Sequence, residues 1–203
     1  MSTAYTLIGS TTSPYVRKLR IYMHYNHIPF EFKSINYLTP EDGTFLKELN
    51  PINKIPVLLI NDKPLFDSRM IYQYFNQQLI NQGSAFKDSI EDENALSEID
   101  GFLETAVNLF SLRRGGIDIK NSGNSFIDKQ MARIDLILES LKNWIKTEKA
   151  QKWNYHTMSL YCALEWANFR EMIVLSQYPE LENFVKNFKK SEFVYDTRII
   201  VPN

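Results

Sequence analysis

The chain has 203 residues, with 44% hydrophobic and 23% charged side chains and a formal net charge of −1. This is the balance of a soluble globular protein with room for one or two cored domains, and it gives no electrostatic drive toward nucleic acid or an anionic membrane. No apolar run has the length of a membrane span, and the single cysteine, Cys162, excludes an intrachain disulfide and any Cys-rich metal site.

Tyr5 to Gly9 reads as a first strand. Ser13-Pro14 then opens a helix, because Ser caps well and Pro suits the first helical position. Val16, Leu19 and Met23 recur at helical spacing and face the core. The helix ends near Asn26, ahead of Pro29. Phe30 to Lys33 alternates apolar and charged residues and reads as a second strand. Strand, helix and strand in so few residues predict a right-handed crossover with the two strands parallel. Asn36 to Gly43 reads as a loop and Thr44 to Leu49 as a short helix.

Asn50-Pro51-Ile52-Asn53-Lys54-Ile55-Pro56 leads into Val57 to Ile60, a short apolar run that reads as a buried strand. Pro56 suits its entrance, since proline cannot donate to a strand ladder. Directly before it, the main chain of Ile55 is left without an obvious strand partner, and buried main-chain groups demand one. An extended peptide lying there supplies it as an added strand. Asn61-Asp62 is a turn pair, and Pro64-Leu65-Phe66 pairs back as a hairpin. Asp67 to about Leu79 is the next helix, with Met70, Ile71, Tyr74 and Phe75 as its apolar stripe. Asp67-Ser68 thus gathers carboxylate, hydroxyl and free N–H groups at a helix start, which suits the charged ends of a small ligand.

Ile80 to Lys87 reads as a linker, and everything after it has helical period. Asp88 to Arg113, Ser125 to Lys149, Asn154 to about Ser176 and a helix opened by Pro179 are predicted. The expected architecture is a small α/β domain over 1–80 followed by an all-α domain over 88–203.

These features resemble the cytosolic glutathione S-transferases over nearly the whole chain. The likeness rests on Ser10-Thr11-Thr12-Ser13-Pro14-Tyr15-Val16-Arg17-Lys18 after the first strand, Asn50-Pro51 with Lys54-Ile55-Pro56-Val57, and Asp67-Ser68, in this order and spacing. It is nearest to bacterial members with a hydroxyl, not a tyrosine, near the first helix. The resemblance implies a thioredoxin-like N-terminal domain that binds glutathione as co-substrate and a helical C-terminal domain lining a pocket for a small hydrophobic electrophile. It also implies a homodimer, a detoxifying transferase activity and no metal. Met1-Ser2-Thr3-Ala4 lacks the features of a secretion signal, so a cytoplasmic location is expected. Relatives cap the third helix of the second domain with Ser or Thr and carry Asp three residues later. Here Asn154 and Thr157 match those positions, so the reciprocal capping box is expected to be lost.

The chemistry needs a thiolate. A free cysteine thiol has a pKa of ~8.5 and is only slightly ionised at neutral pH. A hydrogen bond to the charged sulfur contributes about 1.5–3 kcal/mol, or roughly one to two pKa units. A helix N-terminus adds ~0.3–1 kcal/mol. Ser13 is the first candidate for the hydroxyl donor and Thr12 the second, although Ser13 before Pro14 is equally an ordinary helix cap. The resemblance further implies a cis Pro56 and main-chain pairing of Ile55 with the cysteinyl part of glutathione. Lys54 would meet the glycine carboxylate, Asp67 the α-amino group and Ser68 the α-carboxylate. Arg17 is expected to face solvent, His24 and His27 lack a third metal ligand, and Cys162 is expected to be a small buried hydrophobe. The alternative is a non-catalytic binding or regulatory protein of the same fold. Thiol–disulfide exchange would need a cysteine near Ser13, and the sequence has none there.

Overall fold

The computed structural model describes residues 3–81 and 88–201. They fall into two compact units, one within Met1–Lys87 and Ser191–Asn203, the other Asp88–Lys190. Most of the expected linker, 82–87, lies outside the described residues.

The first unit follows the expected order: β1 Tyr5–Gly9, α1 Pro14–Tyr25, β2 Glu31–Ser34, α2 Pro40–Leu49, β3 Val57–Ile60, β4 Lys63–Phe66 and α3 Ser68–Asn81. The sheet runs β2-β1-β3-β4. β1 and β2 are parallel, and β3 is antiparallel to both β1 and β4. Asn61 and Asp62 both take positive φ, 46° and 69°, the conformation of a two-residue hairpin turn. Pro64 lies on the edge strand, where a missing donor is tolerated. Leu7, Ile8, Val57 and Leu58 from the strands are buried, as are Val16, Leu19 and Met23 from α1 and Ile71 and Phe75 from α3. A Cβ on Gly9 would come within 2.3 Å of Val16 Cγ2, so α1 packs directly on the end of β1 and glycine alone fits there.

Several local expectations shift. β2 begins one residue later than predicted. α2 begins at Pro40, because Thr39 caps it by accepting from Asp42 N at 3.4 Å. Met70 is 49% exposed, and the buried place on α3 goes to Tyr72, whose ring meets Tyr22 edge-on at 5.4 Å.

The second unit is helical: α4 Ile90–Arg114, α5 Ser125–Trp144, α6 Tyr155–Phe169 and α7 Pro179–Phe188. α4 packs on α5 and α6, and α6 on α7. α5 ends at Trp144, short of the expected Lys149, and a 3-10 turn covers Lys149–Gln151. α6 ends at Phe169, because Glu171 takes a φ of 55°; Met172 and Ile173 beyond it are buried without being helical, and the buried Leu175 opens a separate 3-10 turn, Leu175–Gln177. Cys162 is buried on α6. Asn154 caps α6 by accepting from His156 N and Thr157 N, and its own N–H donates to Thr157 Oγ1 at 2.9 Å. The reciprocal box is therefore kept, with a hydroxyl in place of the carboxylate.

A second box opens α4. Ser89 Oγ accepts from Asp92 N, and Asp92 Oδ2 accepts from Ser89 N at 3.1 Å. Lys149 bridges Asp88 and Asp92, the latter at 2.9 Å, and so ties the 3-10 turn to the start of α4. Burial alone would raise the Asp92 carboxyl. The Lys149 ammonium and the Ser89 N–H and hydroxyl outweigh that and hold it at about 2. Nearby, burial pushes His156 below its ordinary value. Among the described residues no helix is long and apolar enough to cross a membrane.

The last described stretch does not join the helical unit. A short helix, α8 Glu192–Asp196, and the tail to Val201 return to the first unit and pack on α1. The helical domain expected over 88–203 thus closes at Lys190.

Candidate functional site

The strand register brings three distant segments to one end of the sheet. Ile8, Val57 and Phe66 stand in one row across β1, β3 and β4. One step outward, the same register aligns Gly9, Pro56 and Asp67. Beyond them the chain leaves the sheet as Ser10–Ser13, Lys54–Ile55 and Ser68. Thr12, Ser13, Ile55, Pro56, Asp67 and Ser68 are therefore gathered at this end, with Lys54 one residue further along the β3 approach.

The Ile55–Pro56 bond is cis. Pro56 is buried and Ile55 half-buried. Neither the N–H nor the C=O of Ile55 has a hydrogen-bond partner among the described residues. The loop before it is shaped by Asn50, which is 1% exposed. Asn50 Nδ2 donates to Lys54 O at 2.7 Å, and its Oδ1 accepts from Ile52 N at 3.0 Å. Asn53 completes the turn with a φ of 55°. The sequence pairs Asn50 with Pro51 as a motif, but only the fold shows its amide as the brace of this loop. Lys54 is exposed.

Ser13 caps α1. Its Oγ accepts from Val16 N at 3.3 Å, and the hydroxyl hydrogen has no acceptor among the described residues. Thr12 is differently placed, since its Oγ1 lies 2.9 Å from Ser10 Oγ and the two share a hydrogen bond. Ser13 N donates to Ser10 O at 3.1 Å and closes the turn. Across the sheet end, Asp67 has a φ of 72°. Its Oδ1 accepts from Arg69 N at 2.8 Å and its carbonyl from Ile71 N at 3.0 Å, so Asp67 is both the corner and the cap of α3. Its Oδ2 has no partner among the described residues, and the side chain is exposed. Ser68 is buried in the first turn.

Arg17, expected at the surface, is 3% exposed, and its Nη2 donates to Val194 O at 3.4 Å. The acceptor lies in the returning tail, which explains why sequence spacing gives no sign of it. Lys18 is fully buried, its Nζ 5.5 Å from the Tyr15 ring. His24 meets Phe30 edge-on; burial first, then the Arg20 charge, push its pKa down. His27 has left the helix with a φ of 51°. Among the described residues no three His, Cys, Asp or Glu side chains gather as metal ligands.

Residues 7–80 match the family model of the glutathione S-transferase N-terminal domain. Over 196 residues the chain is 28% identical to the GST-like protein YibF of Escherichia coli (strain K12), covering 92% of this chain and 95% of that one. Over 201 residues it is 28% identical to glutathione S-transferase U17 of Arabidopsis thaliana, covering 90% and 84%. The likeness to glutathione S-transferases thus runs through both units of the chain. A solved glutathione S-transferase from Methylobacillus flagellatus KT, with GSH bound, superposes on it with a TM-score of 0.81 at 23% identity, covering 97% of this chain and 100% of that one. The transferase fold thus extends through the helical unit, beyond the 7–80 segment of the family model.

Proposed function

We propose that this protein binds glutathione at the end of the sheet defined by Gly9, Pro56 and Asp67, and presents its sulfur as a thiolate to a small hydrophobic electrophile. The reaction is conjugation or reduction of that electrophile. The observation that carries this reading is the register itself: one row delivers an unpaired main-chain segment, a hydroxyl-capped helix start and a carboxylate-bearing helix start to a common edge.

Each group then has a task suited to its chemistry. The Ile55 N–H and C=O pair with the cysteinyl main chain as an added strand. The Asp67 carboxylate, with Oδ2 open, takes the α-ammonium. Ser68 and the α3 N-terminus take the α-carboxylate, and Lys54 takes the glycine carboxylate. Ser13 donates its remaining hydroxyl hydrogen to sulfur while its oxygen goes on capping α1, since a hydroxyl accepts and donates at once. Thr12 is the weaker candidate because its hydroxyl already bonds with Ser10. The donor and the helix end together favour the thiolate by about 2–4 kcal/mol, enough to populate it near neutrality without a metal or a general base. The family resemblance adds a homodimer, which light scattering of the full chain tests.

The deciding experiment has two arms. The protein is first passed over immobilised glutathione, and then the pH–rate profile of conjugation to an aromatic halide is compared with that of Ser13→Ala. Retention is expected, with the Ser13→Ala profile displaced upward by roughly one to two units and glutathione affinity nearly unchanged. An unaltered profile removes Ser13 as the donor and turns to Thr12. Failure to bind at about millimolar glutathione supports a non-catalytic member of the fold instead.

A further inference from the structure

The returning tail reaches the turn that carries Ser13. α8 is held against α1 through its final carbonyls, which would otherwise lack helical donors. Arg17 Nη2 donates to Val194 O at 3.4 Å, and Arg20 Nη2 to Asp196 O at 3.0 Å. Tyr25 meets Phe193 edge-on at 5.9 Å. Val194 and Thr197 are buried, and Thr197 Oγ1 donates to Phe193 O at 2.6 Å. Two arginines one turn apart on α1 thus fix where the short helix stops. The chain runs on to Ile200, whose carbonyl accepts from Thr11 Oγ1 at 2.7 Å.

Thr11 sits in the middle of the turn. On one side is Ser10, whose carbonyl accepts from Ser13 N and whose hydroxyl bonds with Thr12. On the other side are Thr12 and the cap itself. The other hydrogen bonds of Ser10, Thr12 and Ser13 are local to the turn and the first turn of α1. Among the described residues, the Thr11 bond alone ties the turn to a segment 189 residues away.

We propose that residues 191–201 form a strap that positions the thiol-activating turn, with Thr11 as the positioning residue that engages it through the Ile200 carbonyl. The inference rests on the reading of Ser13 as the donor to sulfur. Thr11 does not touch the sulfur. It restricts the turn so that the Ser13 hydroxyl keeps its direction, and the buried anchors on α1 hold the strap in register. A thiolate-directed hydrogen bond weakens steeply as its angle falls, so a looser turn shows first in the thiol titration and in kcat. Glutathione affinity, carried by Ile55, Lys54, Asp67 and Ser68, is little affected.

The test uses the full chain with Thr11→Val, which keeps the shape and removes the hydroxyl, and Thr11→Ser, which keeps the hydroxyl. Three quantities are read: the pH titration of the bound thiol by ultraviolet absorbance, kcat and KM for glutathione, and thermal melting. For Thr11→Val the titration is expected to rise by about half a unit and kcat at neutral pH to fall roughly three-fold, with KM changed less than about two-fold. Thr11→Ser restores both. A Thr11→Val protein that melts earlier but titrates and turns over like the unaltered chain overturns the proposal, because the bond is then structural only. If the unaltered protein shows no lowered thiol titration, the underlying reading of Ser13 fails and the strap's role fails with it. A lowered titration in the unaltered chain with no Thr11→Val effect removes the strap alone.

Discussion

Replacing Asp92 by Asn removes one charge and almost no volume, which isolates the electrostatic part of the clasp between α4 and the turn before α6. The Asp92 side chain is 15% exposed. Its Oδ2 receives Lys149 Nζ at 2.9 Å, Ser89 N at 3.1 Å and Ser89 Oγ at 2.9 Å. Its pKa falls from 3.8 to about 2 on folding despite burial, which opposes the change. At ~1.36 kcal/mol per pKa unit, and trimmed for solvent screening, that lowering corresponds to about 2 kcal/mol. Because the folded value is the lower one, the stabilisation is complete above the ordinary carboxyl pKa and is lost as pH falls through about 2. Roughly half remains at about pH 3. Lys149 gives the complementary sign: burial lowers its pKa, Asp88 and Asp92 more than reverse that, and its contribution disappears only as pH rises through the raised value. Urea denaturation followed by the fluorescence of Trp144, whose indole N–H donates to Asp92 Oδ1, reads the difference directly. Asp92→Asn is expected to cost about 2 kcal/mol at neutral pH and about 1 kcal/mol near pH 3. A gap of equal size at both pH values would refute the reasoning.

Gly9→Ala is expected to cost about 1–3 kcal/mol, because the new methyl would meet Val16 Cγ2 at 2.3 Å and valine has little χ1 freedom in a helix. Calorimetry reads the loss, and unchanged melting would mean that α1 does not sit on β1 as described. Thr157→Val keeps the shape of a fully buried side chain but strips the acceptor from Asn154 N and the donor to the Lys152 or Asn154 carbonyl. A loss of about 1–3 kcal/mol follows from the orphaned groups, and a neutral result would show that the hydroxyl is not part of the box.

The α/β order and the helical second unit were legible because their signals are local. Ser13-Pro14 announces α1, Pro179 announces α7, and Asn61-Asp62 announces the hairpin. The same Thr-Pro grammar at Thr39-Pro40 also starts a helix, and it was obscured by Gly43 in the following turn. Met70 and Tyr72 lie two residues apart, so a helical stripe alone could not decide between them, whereas the Tyr22 ring could. α6 reads too long because the buried Met172, Ile173 and Leu175 keep up the apolar content after the backbone turns at Glu171. At the sheet end, the likeness to transferases supplied the candidate residues, and the register explains how residues 13, 55 and 67 come to one edge. What no local pattern could reveal were the long-range polar partners. Arg17 looks like any surface arginine until a carbonyl 177 positions later is folded beside it.

The α/β unit is made of two stretches that the helical unit separates in sequence. During synthesis its opening helix leaves the ribosome well before the residues that pack on it, Val194 and Thr197, which follow the whole helical unit. Translation at roughly 5–20 residues per second leaves that face of α1 uncovered until the helical unit between has been synthesised. Completion of the first unit therefore waits on synthesis of the helical unit, and a nascent chain stalled before Ser191 exposes the face of α1 on which Val194 and Thr197 later pack.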